Sequence, residues 1–315
     1  MAPRSARVRA LAKVNLSLKV LGVRPDGFHE LRTVFQTISL ADTLDITFTP
    51  ARRTSISVNA NVAIPGENIV ARAAGLVLEA LKVSGRVEMR LTKRIPMGAG
   101  LGGGSSDAAA VLLTLPVLIR RKLPLEALGE AASCLGSDVP FFLLGGTAVA
   151  VGRGTELYPL PELKPAYGLV VAPGIHVSTA QAYRDLDSAR KLTSIRLQNT
   201  ISSFQSSVWQ EGQCPSERAE NDFEPVVFAS HPRLSAVKRQ LKKVGGSPAL
   251  LSGSGSALFA VFGSREQASE ARASFGKEQV FPIRFVTRAA YRALWRRQLG
   301  SQIAGKVWPP QSRYV

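Results

Sequence analysis

Apolar and polar residues alternate through residues 6–22, where Val14, Leu16, Leu18 and Val20 share one face, and this period of two predicts a strand. Arg24-Pro25-Asp26-Gly27 is a turn signal, after which alternation resumes over 34–40, 44–48 and 56–58, a meander of strands. Pro65-Gly66-Glu67-Asn68 punctuates, and the period lengthens to that of a helix over 69–81. Val87, Met89 and Leu91 alternate again before a glycine-rich segment, an apolar helix over 108–118 and a second helix over 125–134 that stops at Gly136. The runs 141–144 and 147–151 predict two strands joined through Gly145-Gly146. Pro159, Pro161 and Pro165 mark a composition shift and a domain boundary. Beyond it, 168–171 predicts a buried strand, 178–186 a helix, and the polar stretch 187–220 a surface excursion. Helical patterns recur at 225–228, 234–244 and 266–275, with strands ending at Phe262 and spanning 280–285. Strands and helices mix without regular βα alternation, which favours an α+β fold over a doubly wound sheet.

The glycine-rich segment carries the strongest chemical signal. Residues 96–106 read Pro-Met-Gly-Ala-Gly-Leu-Gly-Gly-Gly-Ser-Ser, so ligand atoms can lie against a backbone that bears few Cβ atoms. A patterned strand precedes it, and Ser105, Ser106 and Asp107 offer N-cap chemistry to the helix that follows. Strand, glycine loop and helix N-terminus converge free N–H groups and the positive helix end on one point, an anion site suited to a polyphosphate. A Walker A loop would end in Gly-Lys-Ser/Thr, and here Ser105 follows Gly104 directly. Gly98-x-Gly100-x-x-Gly103 satisfies the spacing of a dinucleotide fingerprint, but Glu126 sits in a loop entering a helix rather than at the end of a second strand.

The chain has 315 residues, 45% of them apolar and 20% charged, enough for two domains with ample cores. Cys134 and Cys214 lie in unlike surroundings and three histidines are scattered, so neither a disulfide framework nor a metal centre is expected, and a reducing, cytoplasmic setting fits. No apolar run is long enough to span a bilayer. The net charge of +17 fits an anionic substrate, a nucleic-acid partner or a solvated basic surface. Arg284, Arg288, Arg292 and Arg296 recur every fourth residue, which predicts one basic side of a helix. Trp295 is expected to dock that helix on the C-terminal half of the protein, with a loose end from Trp308, where Pro309-Pro310 stop regular structure.

Three further segments matter in combination. Ala12-Lys13-Val14-Asn15-Leu16 sets Lys13 and Asn15 on the polar face of a strand, which by itself reads as solvent-facing. Gly136-Ser137-Asp138-Val139-Pro140-Phe141-Phe142 places a carboxylate at the mouth of an apolar run. Ser252-Gly253-Ser254-Gly255-Ser256 supplies a second glycine turn. Taken in order with the glycine loop, these segments resemble the superfamily of galactokinase, homoserine kinase, mevalonate kinase and phosphomevalonate kinase. The 4-diphosphocytidyl-2-C-methyl-D-erythritol kinases are the closest resemblance within it. Arg24-Pro25-Asp26-Gly27-Phe28-His29, Asn68-Ile69-Val70-x-Arg72-x-Ala74 and Val177-Ser178-Thr179-Ala180-x-Ala182-Tyr183 support the narrower likeness.

That resemblance implies a two-domain small-molecule kinase fold with the active site in the cleft between domains. With the boundary at the proline-rich shift, residues 1–162 carry the ATP loop and 163–291 lie on the substrate side, while 292–315 form a basic extension past the family's usual end. It implies ATP as phosphoryl donor with Mg²⁺, and a cytidine diphosphate methylerythritol as the acceptor, phosphorylated on its 2-hydroxyl. Pro96, Met97, Gly98, Ala99, Gly100, Leu101, Gly102, Gly103 and Gly104 would wrap the phosphates, with Ser105 and Ser106 near phosphate and Mg²⁺ and Asn68 near adenine. Asp138 falls on the catalytic carboxylate, Lys13 on its partner lysine and Asn15 on a substrate-hydroxyl contact. His29 falls where the cytosine edge binds, Tyr183 where a ring stacks on that base, with Phe28 and Thr179 nearby. Ala99 replaces a glycine and Phe28 a tyrosine that are common in the family. No protein metal site, nucleic acid or membrane is implied, and the chain is compatible with a monomer or a homodimer. Two other classes stay open on the residues alone. An NAD-dependent oxidoreductase would bind NAD(P) and not ATP, and a nucleic-acid binder using the basic C-terminus would show a steep salt slope without turnover.

Overall fold

Two long strands, β1 (Arg4–Val23) and β2 (His29–Pro50), run antiparallel along nearly their whole length in the computed structural model, which describes residues 2–64, 66–190 and 219–313. The alternation pattern breaks β2 near Asp42, yet the strand continues there because Asp42 is fully buried and satisfied. It accepts hydrogen bonds from the Arg94 and Ile95 N–H groups and pairs with Lys93. The other edge of β2 is shared: β5 (Thr147–Gly152) pairs with its first part and β4 (Gly85–Thr92) with its last. β3 (Ser55–Ala60) runs parallel to β4, and β6 (Glu156–Pro159) closes on β5.

Helices α1 (Ile69–Ala80), α2 (Gly103–Ile119), α3 (Leu125–Leu135) and α4 (Val139–Leu144) enclose one core with this sheet. Every residue of α2 from Ala108 to Ile119 is buried, as expected of a helix that is apolar all round. Its start differs from the sequence expectation. The N-cap is Gly102, with left-handed φ of 69°, and Ser106 and Asp107 lie inside the first turns. The run 141–144 is helix rather than strand, because Pro140 opens a turn and the apolar run is too short for periodicity to arbitrate. Gly145 then ends it where a Cβ would strike the Tyr291 ring at 2.2 Å.

The second sheet has the order β10-β7-β9-β8, made of β7 (Tyr167–Ala172), β8 (Ala249–Leu251), β9 (Leu258–Phe262) and β10 (Gln279–Arg284). With α5 (Thr179–Arg190), α6 (Glu224–Ser230), α7 (Pro232–Lys243) and α8 (Arg265–Arg272) it encloses a second core. Most of the expected surface excursion, 191–218 with Cys214, lies outside the described residues. Val14, Leu16 and Ile38 of the first sheet pack with Val170, Leu250 and Phe259 of the second, joining the two halves. Among the described residues no helix is long and apolar enough to cross a membrane.

The C-terminal segment departs most from expectation. Arg284 ends β10, and the helix α9 (Arg288–Leu299) begins after it. It docks on the N-terminal half: Tyr291, Trp295 and Leu299 are fully buried in the first core, and the Tyr291 hydroxyl donates to Phe142 O at 2.6 Å. Its arginines are not a solvated face. Arg292 lies 5.6 Å from the Trp308 ring and Arg296 donates to Lys306 O. The end is not loose either, since Trp308 Nε1 donates to Leu143 O and Pro309, Pro310 and Ser312 are buried. The cause is apolar contact at residues spaced by four, Tyr291, Trp295 and Leu299, all three on the side of the helix that meets the first core. Trp295→Ala is therefore expected to cost about 3–5 kcal/mol of stability, the range for emptying a buried tryptophan site, read as a fall in unfolding free energy.

Candidate active site

The glycine loop lines one cavity of about 430 Å³ and the Lys13–Asp138 region a second of about 490 Å³, with Gly100 in the wall of both. Loop residues 96–105 all border the first cavity, opposite Asn68. Asn68 caps α1, its Oδ1 accepting from the Val70 N–H at 2.9 Å. Gly98, Gly100 and Gly102 hold φ of 67°, 83° and 69°, left-handed values that turn the loop back on itself before α2 begins. Ser105 faces the cavity, whereas Ser106 is turned away, donating its hydroxyl to Leu11 O at 2.7 Å. Gly103 presents its backbone to the cavity, and a Cβ there would point inward to Ile95 at 2.9 Å.

The second glycine turn explains why the loop holds its shape. A Cβ on Gly100 would fall 1.9 Å from Ser252 O, and one on Gly255 would fall 2.2 Å from Ala99 C. The two backbones therefore touch directly. Ala257 N–H donates to Ala99 O at 3.0 Å, and the Ser252 hydroxyl donates to Gly100 O at 3.0 Å.

Beneath the loop lies a buried charge cluster that the pattern of residues does not announce. Lys93 bridges Asp42 and Asp107, the latter at 2.7 Å, and all three side chains are nearly inaccessible. Burial pushes the Asp107 carboxyl up to about 8, against the pull of Lys93 and with help from the Asp42 charge. Burial opposes the Lys93 charge, yet the two carboxylates outweigh it and raise its pKa. Lys93 and Asp107 both border the first cavity, and Asp107 Oδ1 has no hydrogen-bond partner.

Lys13 and Asn15 are 3% and 2% exposed, not solvent-facing. Register shifts in β1 between Leu11 and Lys13 and between Asn15 and Ser17 re-aim this stretch. Lys13 Nζ donates to Asn15 Oδ1 at 2.8 Å, stands 3.3 Å from Asp138 Oδ2 and lies over the Phe35 ring. Asn15 in turn donates to Thr33 Oγ1, which donates to Ser17 O, so each member of the chain is held by the next. Asp138 keeps about a third of its side chain accessible, towards the cavity it lines.

The far end of the second cavity is aromatic. His29 and Tyr183 rings lie 4.4 Å apart, tilted by 31°, and Tyr183 packs edge-on against Phe223. His29 Nε2 is 2.8 Å from Asp187 Oδ1. Burial, followed by the Asp138 and Asp187 charges, pushes the Tyr183 hydroxyl up to about 12. Thr179 lines the same wall and accepts from the Ser254 hydroxyl. Phe28 is half exposed, with the Arg153 guanidinium 4.1 Å from its ring centre. Arg153, Ser137 and Ser254 also line this cavity; the two serines fall inside the motifs that flank Asp138 and Gly253, whereas no local motif marks Arg153.

Two family models match the chain, GHMP kinases N terminal domain over residues 68–146 and GHMP kinases C terminal over 212–280. A 4-diphosphocytidyl-2-C-methyl-D-erythritol kinase of Solibacter usitatus is 58% identical over 313 residues, 99% of this chain and 98% of that relative. The chain belongs to the 4-diphosphocytidyl-2-C-methyl-D-erythritol kinase family. A second member, from Gloeobacter violaceus, is 40% identical over 84% of this chain and 88% of its own length. A crystal structure of a 4-(cytidine 5'-diphospho)-2C-methyl-D-erythritol kinase superposes with a TM-score of 0.71 at 37% identity, covering 89% of this chain and 98% of that one. Homoserine kinase from Cytophaga hutchinsonii, at 19% identity and a TM-score of 0.67 over 90% and 97% of the two chains, shares the fold. The family makes this an ATP-dependent small-molecule kinase of α+β architecture, and the oxidoreductase and nucleic-acid readings fall.

Proposed function

We propose that the chain transfers the γ-phosphoryl group of ATP to the 2-hydroxyl of 4-diphosphocytidyl-2-C-methyl-D-erythritol, yielding the 2-phosphate and ADP in non-mevalonate isoprenoid precursor biosynthesis. The observation that carries this reading is the Lys13–Asp138 pair, in the second cavity beside Gly100, which also borders the glycine-loop cavity. Phosphoryl transfer asks a protein mainly for positioning and charge neutralisation. In this reading, backbone N–H groups of residues 98–104 and the start of α2 hold the ATP phosphates, and Asn68 lies at the adenine end. Asp138 accepts the proton of the attacking hydroxyl, Lys13 beside it meets developing negative charge, and Asn15, which accepts from Lys13 Nζ, contacts a substrate hydroxyl. Phe28, His29, Thr179 and Tyr183 form the cytidine end, with the rings offering faces to the base.

Mg²⁺ fits the donor set at the phosphate end. The Ser105 hydroxyl and the unpartnered Asp107 Oδ1 are oxygen groups in that wall, and oxygen is what Mg²⁺ takes. Among the described residues no three His, Cys, Asp or Glu side chains cluster as a metal cage. When bound, Mg²⁺ neutralises charge on the phosphate oxygens. The cytoplasm is the proposed location, on the sparse and dissimilar cysteines.

The test is direct. Purified protein with ATP, Mg²⁺ and the cytidine diphosphate methylerythritol should release ADP and give a single monophosphorylated product, located at the 2-position by phosphorus NMR. A folded protein that binds ATP and leaves this substrate untouched overturns the reading.

A further inference from the structure

We infer that Arg153 binds the diphosphate of the cytidine-bearing substrate, an assignment that rests on the substrate proposed above. Such a substrate is linear: base, ribose, diphosphate, then the polyol that carries the reacting hydroxyl. Its two ends have addresses in the second cavity, the base at His29 and Tyr183 and the hydroxyl at Asp138. The diphosphate must lie between them, and the β5–β6 turn, through Arg153 and Gly154, lines the same cavity with contacts towards both ends. Arg153 leans on Phe28 with its guanidinium 4.1 Å from the ring centre, on the base side. The next residue, Gly154, abuts the turn that carries Asp138: a Cβ on Gly154 would stand 4.0 Å from Ser137 Cβ.

Charge singles out the same residue. Among the described residues Lys13 and Arg153 are the lysine and arginine side chains that border this cavity, and Lys13 is buried and committed to Asn15 and Asp138. A diphosphate ester entering the cavity needs a second cation, and about two-fifths of the Arg153 side chain remains accessible. Its Nε and Nη2 both donate to Asp26 Oδ2, at 3.2 and 2.7 Å, which fixes the plane of the guanidinium. Asp26 is shared with Arg24, whose Nε lies 3.3 Å from the same oxygen, so it does not belong to Arg153 alone. Nη1 of Arg153 makes no hydrogen bond among the described residues and is the edge left to donate to a phosphate oxygen. A planar guanidinium held on one edge and stacked on one face loses little freedom on binding, which suits arginine better than lysine here.

The competing role is purely structural, a clasp holding the 24–28 turn against the β5–β6 turn. Binding of CDP and of cytidine, measured by calorimetry on the wild-type protein and on Arg153→Gln, separates the two. Loss of a charge-assisted contact predicts that Arg153→Gln weakens CDP about tenfold or more and leaves cytidine within about twofold. Arg153→Lys should recover part of the CDP affinity, and the KM for the full substrate should rise in step while the KM for ATP holds. Equal weakening of CDP and cytidine would make Arg153 a clasp, and unchanged CDP affinity would remove it from the site; either overturns the inference. Failure of the underlying reading looks different: the wild-type protein itself then turns over no cytidine substrate.

Discussion

Asp138→Asn is expected to lower turnover by about 10²–10⁴-fold while ATP affinity stays unchanged, the range a positioned general base contributes. The carboxylate sits 3.3 Å from Lys13 Nζ and opens onto the second cavity rather than the glycine-loop cavity, so on the proposed reading its loss should spare the donor. Asparagine keeps the shape and removes the proton acceptor. Lys13→Ala should produce a loss of similar size, but the double variant should lose little more than either single one. Two groups acting as a unit on one proton are strongly non-additive. Additive losses in kcat would instead separate the two residues into independent roles. Near-normal turnover in a folded Asp138→Asn protein would leave Asp138 as a turn residue before α4. Because Lys13 is buried, its removal also leaves a void beside Phe35, so Lys13→Met, which fills the space without charge, is the control for packing.

Gly255→Ala carries the second large effect, and it acts through contact alone. The added methyl would lie 2.2 Å from Ala99 C and 2.3 Å from Gly100 N, distances at which backbone must move. The moving backbone is the glycine loop itself, which on the proposed reading holds the ATP phosphates. Affinity for ATP is expected to fall by about tenfold or more, given that core overpacking costs roughly 1–3 kcal/mol and here the strain falls on the binding segment. Far-UV circular dichroism should stay close to wild type, since both sides of this contact are turns outside the helices and strands. Calorimetric ATP affinity equal to wild type in Gly255→Ala would show that the loop tolerates displacement. The structure also redirects the obvious loop substitution: at Gly103 a side chain would meet Ile95 and Lys93, testing packing below the loop rather than access to the phosphates.

What the residues reveal unaided is local. Alternation in 6–22 and around 87–91, and the glycine loop between a strand and an apolar helix, are read correctly because period and turn chemistry are properties of neighbouring residues. The helix at α4 escapes because two phenylalanines and two leucines after a proline are equally at home in a short buried strand. The continuity of β2 escapes because Asp42 looks like a polar interruption until Lys93, far along the chain, is placed against it. Lys13 and Asn15 look solvent-facing for the same reason: their partners, Asp138 and Thr33, come from other segments. Arg153 has no local signature, since its setting is made by Asp26 and Phe28 from a different turn. The tail escapes because Tyr291, Trp295 and Trp308 announce burial without naming the surface that buries them.

The backbone contact between residues 99–100 and 252–257 has a bearing on how the protein comes into being. On the ribosome, the glycine loop emerges some 150 residues before the turn that braces it. A nascent chain holding all of α2 and the first sheet therefore has the glycine loop without the turn that braces it. The loop is braced late, when β8 and β9 join β7. The same dependence limits recombination between relatives. A hybrid that joins the first half of one kinase to the second half of another inherits a working loop only if the two glycine turns fit each other atom to atom.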